Sequence, residues 1–182
     1  MRPLLAVLVV WIIVSVPARS QTPADSTVTS LIGAKGMNIL KSAQQMEYLR
    51  VGPSLPDSRQ TEVMEGVRAL APARTASRAV TLRVSRLLLD ERTYTGYVGG
   101  CGFKPVVAFR FRRGPEKVEL LLGYECQQIL VAHTDAKGQR LHSGFGWFQA
   151  RVPLVRLARE LFPGDPVIQS LSETRSLTAS QP

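Results

Sequence analysis

The chain has 182 residues, of which 45% are hydrophobic and 20% charged, a balance that excludes a disordered or fibrous polypeptide and favours one globular domain. Its net charge of +9 comes mainly from arginine, with five lysines among 23 basic residues. The arginines are spread along the sequence rather than gathered in a run, which reads as a solvated surface and argues against a nucleic-acid partner, while a protein or an anionic envelope glycan stays open.

In chain order, Arg2 precedes an apolar run from Leu4 to Val16, broken only by Ser15. That run is shorter than the roughly 20 residues that span a bilayer. Ala18 and Ser20 then occupy the small-residue positions of a cleavage site before Gln21. Residues 1–20 are therefore expected to be a cleaved signal peptide, with an uncleaved anchor as the alternative; cleavage would leave a secreted or periplasmic chain without a transmembrane helix and lower the net charge from +9 to +7. Residues 21–30 read as a loose segment, 31–171 as a single domain and 172–182 as a flexible tail.

Within the domain, residues 31–43 read as a weak helix containing Gly33 and Gly36, residues 46–51 as a strand ending at Gly52-Pro53, and residues 61–70 as a second strand. Residues 76–91 are the best helix, with Val80, Val84, Leu87 and Leu88 on one stripe and Arg78, Arg83 and Arg86 on the other side. A Gly-interrupted strand is expected at 141–149. A further helix is expected at 153–162, with Pro153 at its first position and Pro163-Gly164 as its stop.

The two cysteines, Cys101 and Cys126, bracket two apolar runs. Side chains alternate faces along a strand. Cys101, Phe103, Val107, Phe109 and Phe111 share the odd face of the first run; Val118, Leu120, Leu122, Tyr124 and Cys126 share the even face of the second. A hairpin places both sulfurs on its apolar side. Gly114-Pro115-Glu116-Lys117 reads as a four-residue loop, which pairs Phe109 with Leu122 and Arg112 with Glu119 and sets Cys126 opposite Pro105, the second strand running on as far as Val131. A two-residue loop at Arg113-Gly114 would set the cysteines face to face but put Pro115 into the ladder. Two cysteines without a C-x-x-C spacing are too few for a metal site, and in an oxidising compartment they read as a structural disulfide.

Catalytic signals are sparse. His133 and His142 are the two histidines of the chain; His133 with Asp135 offers a base and its orienter, and Ser143 follows His142. No nucleophile elbow, zinc-protease motif or phosphate loop is present, and no cofactor is indicated. Glu119 and Glu125 share a strand face and offer either an acid pair or neutralisation of neighbouring arginines. The stretch Ser143–Phe148 gathers Phe145, Trp147 and Phe148. With Arg140 and Arg151 flanking it, Arg140, Phe145, Trp147 and Arg151 form a possible partner contact; the competing reading places all three aromatics in the core.

The segments Arg86–Tyr94, Cys101–Cys126 and Arg151–Leu171 resemble a loose group of uncharacterised bacterial secreted proteins and lipoproteins. The shared pattern is an aromatic-x-Pro entry into a strand, a charged turn, and a strand ending in aromatic-x-Cys; it covers about the C-terminal half. Gly123 stands where members of the group carry a first cysteine before Cys126. The resemblance implies an envelope location and an α+β fold and carries no activity.

These readings converge on an α+β fold: a small antiparallel sheet with a central disulfide-stapled hairpin, packed by two or three helices. The expected role is an exported, non-catalytic bacterial domain that binds an envelope or protein partner. A small secreted hydrolase and an inhibitor of a secreted enzyme are the alternatives.

Overall fold

The computed structural model describes residues 27–53, 62–64, 67–94, 102–134 and 140–174. Its helices are α1 (Thr27–Ser42), α2 (Arg78–Leu89), α3 (Arg151–Leu161) and the short α4 (Pro166–Gln169). Its strands are β1 (Met46–Pro53), β2 (Glu62–Met64), β3 (Val67–Ala69), β4 (Arg74–Thr75), β5 (Val107–Arg113), β6 (Glu116–Gly123), β7 (Gln128–Thr134) and β8 (Arg140–Gly146). The chain is therefore α+β, with every described strand pair antiparallel. The sheet runs in the order β2-β3-β1-β5-β6-β7-β8, with β4 also paired to β1. At eight described strands it is larger than expected. The proposed signal peptide and loose segment, up to residue 26, lie outside the described residues, as do residues 175–182 of the tail.

The hairpin of β5 and β6 forms, but in a different register. Arg113 pairs with Glu116, Phe109 with Leu120 and Arg110 with Glu119, so the loop is the two residues Gly114-Pro115 rather than four. Gly114 has φ 58°, which fits the first position of a primed hairpin turn, and proline's fixed negative φ suits the second. Pro115 thus stays out of the ladder, and the expected opposition of Cys126 to Pro105 does not occur. Within the paired strands the facing of the side chains survives, because a slip of two residues preserves the pleat, but Phe103, ahead of β5 and outside the strand alternation, packs with the cluster on the opposite face. β6 also stops earlier than expected: the chain turns over Tyr124–Gln127, where Gln127 has φ 51°, and β7 returns alongside.

Other boundaries shift for local reasons. The expected strand over 61–70 is two three-residue strands, with Met64 paired to Val67 across a reversal. α1 starts at Thr27 and kinks at Gly33, whose φ of 72° leaves the helical region. Ser77 caps α2 by accepting the Val80 N–H at 3.3 Å. Pro153 is the third residue of α3, still among the first N–H positions that lack a helical partner.

The helices and one face of the sheet share the main core. Phe109, Phe111, Val118, Leu120 and Leu122 pack with Ile39 and Leu40 of α1, Val84 and Leu88 of α2, Leu154 and Leu157 of α3, and Ile168 of α4. At about 25 cal/mol per Å² of buried apolar surface, this cluster is the dominant stabilising contribution. The opposite face carries a smaller apolar cluster of Leu49, Val51, Val67, Ala108, Leu121 and Ala132. It also carries a ladder of charges directly across the strands, Glu47 to Arg110 to Glu119. Arg110 Nε donates to Glu119 Oε1 at 2.7 Å and its Nη1 to Glu47 Oε2 at 3.1 Å.

Candidate functional site

The residues expected to form a partner contact do not make one exposed patch. β8 ends at Gly146, and the Trp147 N–H donates to the Gln127 carbonyl at 3.0 Å. This bend sends the indole inward, where it is 0% exposed and stacks edge-on against Tyr124 with ring centres 5.1 Å apart. Trp147 is a core residue, so the contact surface centred on it is withdrawn. Phe145 pairs with Ile129 in the ladder. Arg140 opens β8 opposite Thr134, whereas Arg151 opens α3 beyond the other end of the strand. About 20 Å of strand separates those ends, so the two arginines do not flank a common spot. The Arg151 Nη1 donates to the Tyr124 carbonyl at 2.8 Å and ties α3 to the turn after β6.

Of the residues considered for hydrolysis, the two histidines are set on opposite faces of the sheet. His133 pairs with Leu141 while His142 pairs with Ala132, so the two histidines occupy alternating positions of the pleat. His133 is buried; Asp135 lies outside the described residues. Glu119 is 0% exposed and bound by Arg110 and by Lys117 at 3.2 Å, while Glu125 pairs with Lys104 at 3.0 Å. Each carboxylate therefore has its own cation. Arg112, expected opposite Glu119, pairs instead with Lys117 and approaches Glu47 at 3.6 Å. Among the described residues no group of three His, Cys, Asp or Glu side chains could hold a metal ion.

Cys126 is buried at the turn after β6, its Sγ 3.2 Å from the Gly102 carbonyl oxygen. Cys101 lies outside the described residues. The glycine that departs from the resembled pattern has a packing cause: a Cβ on Gly123 would stand 3.2 Å from both the Lys104 carbonyl oxygen and the Phe103 ring. The segment entering β5 lies so close over this point that a cysteine there would require it to give by a few tenths of an ångström.

The structure instead assembles a cleft of about 430 Å³ between β1, the Leu70–Arg74 connection and the turn from α3 into α4. Tyr48 and Phe162 meet edge to face beside it, ring centres 5.2 Å apart. Arg50 projects into it from β1. Its Nε donates to Asp165 Oδ2 at 2.8 Å, and its Nη1 to the carbonyls of Val51 at 2.7 Å and Val106 at 2.9 Å. The Arg50 side chain is only 15% exposed, and its Nη2 has no protein partner among the described residues. Arg74 lines the same cleft and pairs through its backbone with Tyr48, two positions from Arg50 and on the same side of the sheet. It is exposed and makes no ion pair with a described residue.

Asp165 has two tasks. It caps α4 by accepting the Ile168 N–H at 3.0 Å, and it orients Arg50. Burial pushes its carboxyl pKa up, but the Ile168 N–H and the Arg50 guanidinium outweigh that effect and hold the pKa below the ordinary carboxylate value. Asp165 is therefore ionised at neutral pH and keeps Arg50 fixed.

Sequence reading passed over this site. Its signal is Arg50 itself: Met46, Tyr48 and Arg50 alternate along β1 toward the helices, and a charge in that apolar alternation requires a partner. The partner, Asp165, is 115 residues away in the chain.

Family models, curated proteins and solved structures were each compared with this chain, and none matches it.

Proposed function

We propose that this chain is an exported bacterial domain that acts by binding an envelope partner, a protein or an anionic glycan, without catalysing a reaction. The single observation that carries the reading is the cleft at Arg50 and Arg74: a fixed, partly unsatisfied guanidinium beside a second arginine, framed by apolar side chains. This is a recognition geometry, with charge for orientation and apolar walls for contact. The backbone pairing sets His133 and His142 on opposite faces of the sheet, so the two histidines do not act as a pair. Export rests on the sequence of residues 1–20, with its positive start, apolar run and small residues before Gln21.

The same reading includes a bond between Cys101 and Cys126. Its support is the burial of Cys126 and the closeness of its sulfur to Gly102, the neighbour of Cys101.

Co-sedimentation of the purified mature protein with bacterial envelope material tests the function. The protein is expected to pellet with the envelope fraction, less so as salt is raised across the range where surface charges become screened. Binding should weaken by roughly tenfold in Arg74→Gln, the loss of one charge-assisted contact. Protein that stays in the supernatant at low salt contradicts the reading, as does sedimentation indifferent to both salt and Arg74.

A further inference from the structure

We propose that the cleft between β1 and the α3–α4 turn is a site for a monoanionic carboxylate carried on a short apolar group. The proposal rests on the reading of this chain as a binding domain and names the chemistry of what it binds.

The geometry of Arg50 is the first support. Three hydrogen bonds from Nε and Nη1 fix the plane of the guanidinium before any ligand arrives, so binding costs little side-chain freedom. The N–H groups of Nη2 remain for an incoming acceptor, and a charge-assisted bond to a carboxylate is the strongest use of them. Arg74, held by β4 on the same side of the sheet, offers a second cation to the other carboxylate oxygen.

The charge balance selects the ligand. Among the cleft's lining residues Arg50, Arg74 and Asp165 are the charged ones, and Asp165 offsets one arginine. A monoanion completes the pairing. A dianion would hold its second charge against the Asp165 carboxylate, at short range and partly shielded from water.

The walls select what the carboxylate is attached to. Leu70 is 46% exposed at the rim, where an apolar side chain of that size gains by being covered. Phe162 and Pro166 line the opposite side. A volume of about 430 Å³ lies in the range of small-ligand sites and accommodates a short aliphatic group beside the carboxylate. A second hollow, about 310 Å³ beside Arg110 and Arg112, lacks this character because both arginines already face Glu47. A peptide C-terminus and a free short-chain fatty acid share the required chemistry.

The test is titration of the purified mature protein, followed by amide NMR, with four probes: acetyl-alanyl-leucine, its C-terminal amide, hexanoate and inorganic phosphate. The carboxylate probes are expected to shift the amides of Arg50, Leu70, Arg74 and Gly164, and the dipeptide acid to bind at least about tenfold tighter than its amide. Arg50→Gln removes bonds that hold β1 and can unfold the domain, so Arg74→Gln at an exposed position is the decisive variant; it should weaken the acid roughly tenfold while leaving the amide unchanged. A dipeptide that outbinds hexanoate assigns the site to a peptide terminus, and the reverse order assigns it to a free acid. Equal binding of acid and amide, an acid affinity indifferent to Arg74→Gln, tighter binding of inorganic phosphate than of either carboxylate, or no shift with millimolar probe overturns the proposal. If the probes fail while salt-sensitive envelope binding persists, the cleft proposal falls alone. If envelope binding is absent as well, the binding-domain reading falls with it.

Discussion

Burial turns Trp147 from a contact residue into a support for the turn that follows β6. Its indole fills the space beneath Tyr124, whose hydroxyl donates to the Leu154 carbonyl at 3.2 Å, so one aromatic pair links the sheet to α3. Truncation would leave a large cavity that the surrounding side chains cannot close. Trp147→Ala is expected to lower unfolding stability by about 3–5 kcal/mol in denaturant titration. A loss below about 1 kcal/mol would mean that the site collapses or that the ring is exposed. Glu119 teaches a related point. Alternation of the strand correctly separates it from the Phe109 face, but its burial and its partner depend on register. A shift of two residues replaces Arg112 by Arg110 as the residue across from it. The Glu119 carboxyl is tolerated inside because Arg110 and Lys117 both reach it.

Among the elements, the α3–α4 turn has the clearest dependence on protonation. Asp165 has a folded pKa below the unfolded carboxylate value of about 3.9. Its contribution is therefore full above the unfolded value and is lost as pH falls through the lower folded value. The melting temperature should fall as pH is taken below about 4, and Asp165→Asn should flatten that part of the curve, because asparagine can still cap α4 but does not titrate. Identical pH profiles for the wild type and Asp165→Asn would remove Asp165 from the account. The hairpin shows how one residue decides an element. Reading Gly114-Pro115-Glu116-Lys117 as the loop makes it two residues too long. Gly114, free to adopt φ 58°, takes the first position in a tighter turn and draws Arg113 against Glu116. The apolar stripe of α2 was legible because a 3.6-residue period is a local signal, whereas the cap at Ser77 emerges only from the structure.

For the whole molecule, the proposed Cys101–Cys126 bond would close the hairpin and its entry segment into one loop. Peptide mapping of the exported protein without reductant is expected to recover the two cysteines in a linked pair. Reduction should cost about 3.5 kcal/mol of stability by chain entropy. Labelling of both thiols in the native oxidised protein would refute the bond. The α+β class and the inward faces of β5, β6 and α2 were determined by the sequence alone, because periodicity of 2 or 3.6 is set by the backbone and survives small errors in boundaries. The tertiary structure alone decided the hairpin register, the burial of Trp147 and the meeting of Arg50 with Asp165. Each of these depends on which distant surfaces pack together, and a local pattern of apolar and polar residues is compatible with more than one such packing.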